Sequence, residues 1–287
     1  MSELLVPFAY DYMVKAMWVS ALVGALCAFL SVYLMLKGWS LMGDALGHAI
    51  VPGVALAYML KLPYAAGAFI SGLIAALGMA VIKQQSRLRE DAVIGLVFTA
   101  FFAAGLLIVS INPTSVSVQS IVLGNILGIS DQDAVQVVIV ALVSLGILLL
   151  KWKDLMVVFF DENHARTIGL NPARLRILFF ALLSAATVTA LQTVGACLVI
   201  AMVVTPGATA YLLTDRFGRL LALSVSIGAT TSFVGAYLSY FVDGATGGVI
   251  VVLQTLAFLG AFVLAPKHGL LAQRRASAAA QAGEAPQ

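Results

Sequence analysis

The chain has 287 residues, of which 62% are hydrophobic and 10% are charged, and its formal net charge is +3. Because soluble domains carry about 25% charged residues, this composition excludes a water-soluble globular domain and indicates an all-α integral membrane protein whose main solvent is the lipid bilayer. A net charge this small gives no sign of nucleic-acid binding, so none is expected.

Nine hydrophobic segments are predicted to cross the bilayer, since a helix needs about 20 residues to span roughly 30 Å of hydrocarbon. In chain order they cover residues 16–36, 43–60, 63–82, 92–111, 134–150, 177–192, 195–213, 220–242 and 247–264. The sixth and seventh are divided at the polar, glycine-containing sequence 192–195, because one helix from 177 to 213 would be about 55 Å long. We therefore expect about nine transmembrane helices in a single domain over residues 1–269, followed by a disordered cytoplasmic tail at 270–287.

The charges of the loops predict the orientation of the chain. Lys and Arg collect after the third, fifth, seventh and ninth segments, which places these loops in the cytoplasm. The four groups are Lys83, Arg87 and Arg89; Lys151, Lys153, Arg166, Arg174 and Arg176; Arg216 and Arg219; and Lys267, Arg274 and Arg275. The opposite loops carry Asp131, Asp133 and Asp243, so the N-terminus is predicted outside, although Lys15 then lies where cations are rare.

Two ionisable residues, Asp44 and His48, lie within the second hydrophobic segment. They are four residues apart and therefore share one face of a helix. Ionisable groups inside a bilayer cost about 2.5–3.5 kcal/mol each on insertion scales, and a carboxylate beside an imidazole suits a divalent transition metal. Gly43, Gly47 and Gly53 with Pro52 would loosen the helix around the pair. The alternative interpretation is a buried hydrogen bond that locks two helices together.

Three other stretches have features that a plain membrane helix lacks. The cytoplasmic loop 161–172 begins with acidic residues and ends with Gly then Pro, which predicts a short capped helix, either a docking element or an ordinary connection. Thr205 and Pro206 lie inside the seventh segment, where the proline predicts a kink that acts as a gating hinge or as a static bend. The half-apolar outer loop at 112–133 predicts a short interfacial helix or a plain loop.

Sequence signatures of catalysis are missing. The chain has no Gly-x-x-x-x-Gly-Lys-Ser/Thr phosphate loop, and its three histidines form no credible triad. Cys27 and Cys197 have no metal-binding spacing and are expected to be buried small hydrophobes. The chain is therefore not expected to be an enzyme.

Several of these stretches resemble one family of transporters. Residues 37–57, KGWSLMGDALGHAIVPGVALA, are similar to the S-L-M-G-D-A-x-S-H-A-x-x-P-G-V-A signature of the ABC-3 permeases, the manganese/zinc/iron branch of ATP-driven importers, with Gly47 in place of the usual Ser. Residues 205–210 resemble the family's T-P-A-A-T-A, and residues 123–128 resemble its F-G-N-I-L-G. The resemblance covers about residues 7–270.

The resemblance implies a role for each stretch. Asp44 and His48 would be metal ligands on the translocation path, in a chain with no permanently bound cofactor. The hinge, which the prolines rather than the resemblance suggest, would consist of Pro52, Thr205 and Pro206. The helix that couples transport to a cytoplasmic ABC ATPase, the partner that hydrolyses ATP, would contain Asp161, Glu162, Ala165 and Gly169.

The resemblance also implies partners, a cargo and a location. An extracytoplasmic metal-binding protein would deliver the metal, and a second permease, a copy or a paralogue, would complete the membrane part in the plasma membrane of a bacterium. Mn²⁺ is the expected cargo, followed by Fe²⁺ and then Zn²⁺. Three alternatives remain open at this point: a transporter driven by an ion gradient with Asp44 as a proton relay, an importer of organic metal chelates, and a structural partner of another permease.

Overall fold

The computed structural model describes residues 3–39, 41–111, 126–265 and 269, and this part of the chain is helical, as predicted. Within these ranges, a short 3₁₀ helix, Glu3–Ala9, precedes eleven α-helices. They are α1 (Asp11–Lys37), α2 (Met42–Ala49), α3 (Val51–Met59), α4 (Tyr64–Gln85), α5 (Glu90–Ile111), α6 (Asp131–Phe160), α7 (Glu162–Thr167), α8 (Pro172–Val194), α9 (Ala196–Leu213), α10 (Phe217–Val242) and α11 (Thr246–Leu264).

Seven helices in the described part of the chain are long and apolar enough to cross a membrane: α1, α4, α5, α6, α8, α10 and α11. The predicted segment 43–60 is instead divided into α2 and α3, of 8 and 9 residues, each too short to cross alone. The predicted segment 195–213 corresponds to α9, whose apolar part, Leu198–Leu213, is also short. The expected nine crossings are therefore not confirmed by helix length and composition.

Two predicted boundaries can be judged from backbone geometry. The division at 192–195 is confirmed, because α8 ends at Val194 and Gly195 adopts φ 87°, a conformation that glycine tolerates without a side-chain clash. The fifth predicted segment, 134–150, lies within a longer helix, because α6 begins at Asp131 and continues to Phe160. Its 30 residues extend about 45 Å, so the last turns, including Lys151 and Lys153, project beyond the hydrocarbon layer.

Helix α1 lies at the centre of the bundle and packs against α6, α8, α9 and α10. Its side chains Leu26, Cys27 and Leu30 are fully buried, as expected for Cys27. The backbones of α1 and α10 touch: a Cβ on Gly24 would lie 2.5 Å from the carbonyl oxygen of Gly228. Small residues at such contacts are the usual means of packing helices where lipid removes the hydrophobic driving force.

An ion pair with Asp131 explains how Lys15 can lie at the predicted outer end of α1, where cations are rare. The Lys15 Nζ atom lies 2.6 Å from Asp131 Oδ1, at the start of α6. The first turns of α1 and α6 therefore lie at the same end of the bundle, and the lysine charge is compensated there. The tail 270–287 and most of the outer loop, at 112–125, lie outside the described residues, so the predictions made for them stand as predictions.

Helix α2 is enclosed by α4, α5, α8 and α9, and α3 packs on α4 and α5. Gly43 faces α9 so closely that a Cβ would lie 3.1 Å from Val203 Cγ1. The small side chains of α2 thus seat the helix among its neighbours. This seating determines which of its side chains remain accessible.

Candidate metal site and coupling helix

The open face of α2 consists of its two ionisable side chains. Asp44 and His48 keep 37% and 24% of their side-chain surface exposed. The other residues of the helix are buried: Met42, Gly43, Ala45, Leu46, Gly47 and Ala49. Because the helix has a period of 3.6 residues, the spacing of four places both accessible groups on one stripe. The structure therefore brings together the two residues that the sequence singled out.

Asp44 and His48 also contact each other directly. Nδ1 of His48 lies 3.0 Å from the backbone carbonyl oxygen of Asp44 and 3.4 Å from its carboxylate oxygen Oδ1. A proton on Nδ1 serves both oxygens and leaves the lone pair of Nε2 available to a ligand. Metal-binding histidines are commonly oriented in this way, by a carbonyl or carboxylate that accepts from the other ring nitrogen.

Two phenylalanines of α5 form the wall beside the imidazole. The ring centroids of Phe98 and Phe102 lie 5.1 and 5.5 Å from that of His48, and both rings stand nearly perpendicular to it. Counted from Glu90, Phe98 and Phe102 lie about 12 and 18 Å along α5, near the middle of the helix. The apolar wall lowers the local dielectric constant and so strengthens the attraction between the Asp44 carboxylate and a cation. Sequence reasoning missed this pair, whose only signal was the four-residue spacing of two aromatics within a hydrophobic run.

The pair supplies only part of a metal coordination shell. Within the described residues no group of three or more His, Cys, Asp or Glu side chains could hold a metal ion. Transition-metal sites in proteins take four to six ligands, so Asp44 and His48 alone would make an incomplete and weak site.

Pro52 lies at a real interruption of the helix, next to the ionisable pair. Ile50 separates α2 from α3 but keeps helical dihedral angles, φ −76° and ψ −18°. Ser71 of α4 donates a hydrogen bond to the carbonyl oxygen of Ala49 at 2.7 Å. The predicted loosening of the helix is therefore present as a local loss of backbone hydrogen bonding, and a hinge motion at Pro52 is still a prediction.

Pro206 lies within α9, which remains one continuous helix. The hydroxyl of Ser31, from α1, accepts from the backbone N–H of Gly207 at 3.0 Å and donates to the carbonyl oxygen of Val204 at 3.0 Å. The carbonyl oxygen of Thr205 accepts from Thr209 Oγ1 at 2.7 Å. A hinge role for Thr205 and Pro206 likewise stays a prediction. Sequence reasoning did not single out Ser31, because its partners lie far along the chain.

The loop at 161–172 contains the short helix that its capping pattern predicts, α7. Asp161 Oδ1 accepts from the backbone N–H groups of Asn163 and His164 at 2.9 and 3.0 Å. The helix ends before Gly169, at φ 84°, whose N–H donates to the carbonyl oxygen of Arg166 at 3.1 Å. An acidic N-cap and a left-handed glycine thus define both ends of α7.

Glu162 anchors α7 to the next long helix. Its carboxylate pairs with Arg166, one turn on, at 2.8 Å and with Arg176 of α8 at 2.5 Å. The hydrogen bond from Arg166, together with the charge of Arg176, holds the pKa of Glu162 below its usual range. The Arg166 pair lies within α7, and the Arg176 pair joins α7 to the start of α8.

Ala165 is fully buried within this chain, whereas Asp161 and Gly169 are exposed. The exposed side chains of α7 itself are Asn163, His164, Arg166 and Thr167. A partner that binds α7 would touch that outer face. Ala165 would then act by holding the helix against its own bundle.

Comparison with known proteins identifies the family of this chain. The model of the ABC 3 transport family matches residues 9–265. The chain belongs to the ABC 3 transport family. As a member of that family it is a multi-pass protein of the bacterial cell membrane and a subunit of a transport system, not an enzyme.

Relatives within the family are similar along nearly their whole length. The chain is 72% identical over 271 residues to the chelated iron transport system membrane protein YfeC of Yersinia pestis, covering 94% of this chain and 92% of that protein. It is 50% identical over 270 residues to the manganese transport system membrane protein MntB of Synechocystis sp., covering 93% and 87%. Among solved structures, PsaBC from Streptococcus pneumoniae in complex with Fab superposes with a TM-score of 0.85 at 33% identity, covering 95% of this chain and 99% of that one.

Proposed function

We propose that this chain is the permease subunit through which a divalent transition metal enters the cytoplasm, driven by a separate ABC ATPase. The observation that carries the proposal is the contact between Asp44 and His48 on the one open face of α2. One hard oxygen and one imidazole nitrogen suit Mn²⁺, Fe²⁺ or Zn²⁺ better than Cu⁺, which prefers sulfur. Mn²⁺ is the first candidate, Fe²⁺ the second and Zn²⁺ the third. Relatives named for manganese and for chelated iron transport support a metal cargo.

The metal would be shared between two permease subunits. Asp44 and His48 keep part of their side chains exposed, and the described part of the chain groups no third His, Cys, Asp or Glu with them. A second permease, either a copy or a paralogue, would bring another carboxylate and imidazole and complete a set of four. Each half-site alone would bind weakly, which lets the metal leave once the two halves separate.

The ATPase would act through α7. Its exposed face would dock on the ATPase, and the ion pairs of Glu162 with Arg166 and Arg176 would pass the movement into α8. Rearrangement of the two subunits would then change the side of the membrane from which the metal site is open. Affinity rises from Mn²⁺ to Zn²⁺ at any site of nitrogen and oxygen ligands, so we expect an extracytoplasmic binding protein to set the metal selectivity.

The test is uptake of radioactive Mn²⁺, Fe²⁺ and Zn²⁺ by cells that carry the complete transporter and lack other importers. Asp44→Asn and His48→Ala should each reduce uptake of the transported metal by at least about tenfold, since even partners of metal ligands contribute this much. Asp243→Asn is the matched control, because Asp243 is exposed and its left-handed conformation, φ 50°, suits Asn. Full uptake in both site variants at normal expression would overturn the proposal.

A second experiment distinguishes ATP-driven transport from transport driven by an ion gradient. The purified chain in vesicles should move no metal under a pH gradient, and uptake should appear when the ATPase and ATP are added. Uptake by the chain alone would assign Asp44 to a proton relay.

A further inference from the structure

A cavity of about 230 Å³ lies among the predicted cytoplasmic ends of α1, α4, α5, α6 and α8, beside α7. It takes no part in the metal site, since neither Asp44 nor His48 lines it. Its lining consists of a group of charged residues and a group of largely apolar residues. Lys37, Lys83 and Arg176 contribute cations together with one acid, Glu162, and the rest is largely apolar, including Met79 and Phe180.

The two kinds of lining lie at different depths. Lys37 is the last residue of α1, Lys83 is two residues from the end of α4, and Arg176 is four residues into α8. At 1.5 Å per residue, the cations start within about 6 Å of the helix ends. Met79 and Phe180 lie about 9 and 12 Å inward from the ends of α4 and α8. Along the helix axes, the cavity is thus cationic near the helix ends and apolar further into the bundle.

Lys37 supplies a charge that the fold itself does not use. It is exposed, and none of the ion pairs found in the described ranges includes it. Arg176 already holds Glu162. A cation without a carboxylate partner, placed at the mouth of an apolar cavity, attracts an anion that carries an apolar chain.

We propose that this cavity binds an acidic phospholipid, with the phosphate at Lys37, Lys83 and Arg176 and the first part of an acyl chain against the apolar wall. Basic pockets between membrane helices on the cytoplasmic side bind anionic headgroups through charge-assisted hydrogen bonds. Three cations beside an apolar wall favour a lipid over a segment of the ATPase, because they match a phosphate that is joined to an acyl chain. The bound phosphate would lie beside the Glu162–Arg176 pair and so next to the attachment of α7.

The experiment measures lipid retention by the assembled transporter. The complex is purified from membranes that contain equal amounts of phosphatidylglycerol and phosphatidylcholine, and the retained lipid is counted by native mass spectrometry. We expect phosphatidylglycerol to be retained, and Lys37→Gln to reduce its retention about fivefold, as for loss of one basic contact. Lys153→Gln, which removes an exposed cation outside the cavity, should leave retention unchanged.

A second pair of variants tests the apolar part without changing charge. Ala80→Phe fills the cavity and should abolish retention, whereas Ala66→Phe, on the exposed face of the same helix, should not. Equal retention of the two lipids would overturn the proposal. So would displacement of the lipid by millimolar glycerol phosphate, which would make the ligand a soluble phosphate. Retention by the isolated permease that is lost in the assembled complex would assign the cavity to the ATPase and also overturn it.

Discussion

Two Pro-Gly dipeptides, Pro52-Gly53 and Pro206-Gly207, lie in the membrane-embedded part of this chain, and the helix responds differently at each. At the first, the helix is interrupted at Ile50 and divides into α2 and α3. At the second, α9 remains continuous. A proline in a helix removes one backbone hydrogen bond in either case, so the proline alone does not explain the difference.

The neighbouring helix explains it. Each dipeptide is met by a serine: Ser71 only donates, to the carbonyl of Ala49, whereas Ser31 both donates to Val204 and accepts from the N–H of Gly207. Ser31 thus replaces part of the hydrogen bonding that the proline disturbs. One polar side chain from a packed neighbour can therefore keep a proline-containing helix intact. We expect mobility near Pro52, beside the candidate metal site, rather than near Pro206.

The largest effect should come from adding a methyl group to the glycine of either dipeptide. A Cβ on Gly53 would lie 2.1 Å from the carbonyl oxygen of Gly67, so α3 and α4 must separate. On Gly207 the nearest atom is the Ser31 hydroxyl at 2.4 Å, with backbone atoms at 2.8 Å. We expect Gly53→Ala to reduce the free energy of unfolding by about 3 kcal/mol and Gly207→Ala by about 2 kcal/mol.

Thermal unfolding in detergent micelles measures both variants. Gly78→Ala is the matched control, because a Cβ there meets no atom within 4 Å. It should raise the stability by about 0.5–1 kcal/mol through helix propensity. Unchanged unfolding temperatures for Gly53→Ala would contradict the close approach of α3 and α4.

Replacing the two serines should reduce stability in proportion to the hydrogen bonds that each makes, two for Ser31 and one for Ser71. Ser31→Ala leaves a buried N–H and a carbonyl without their partner and should cost about 2 kcal/mol, whereas Ser71→Ala loses one donor and should cost about 1 kcal/mol. Comparison of the two unfolding midpoints tests this directly. Equal losses would remove the explanation for the continuity of α9.

Replacing the prolines tests where motion is needed. Pro52→Ala restores an N–H at the interruption and should stiffen the junction of α2 and α3, reducing metal uptake severalfold at normal expression. Pro206→Ala acts on a helix that is already continuous, so uptake should change less than twofold. The measurement is initial uptake rate, and a larger loss for Pro206→Ala would move the hinge to α9.

The smallest effect is expected at α7, away from both dipeptides. The pKa of Glu162 is lowered in the folded protein by its hydrogen bond from Arg166. The stabilisation is therefore present above the unfolded pKa of about 4.3 and is lost as the pH falls through the lower folded value. Because the carboxylate is 37% exposed, solvent screening limits the contribution to less than about 0.5 kcal/mol. Unfolding midpoints of Glu162→Gln and the unchanged protein, measured from pH 7 down to about 2.5, should differ above a pH of about 4.3 and converge below the folded pKa of Glu162.

Much of the fold follows from local properties of the chain. Hydrophobicity alone predicted a helical membrane protein and the approximate limits of its long helices, and Gly195 ended α8 where the sequence indicated. The shared face of Asp44 and His48 follows from their spacing. The capped ends of α7 follow from Asp161 and Gly169, because caps involve residues only a few positions apart.

Other properties were decided only by packing between distant parts of the chain. The exposure of Asp44 and His48 depends on how four other helices enclose α2, and the burial of Ala165 depends on the bundle behind it. The continuity at Pro206 follows from two hydrogen bonds of Ser31, which lies 176 residues before Gly207, whereas Ser71 makes one hydrogen bond beside Pro52. Sequence by itself determines the helices because their hydrogen bonds are local. Tertiary structure decides their interruptions and open faces because the groups that satisfy or cover them arrive from elsewhere in the chain.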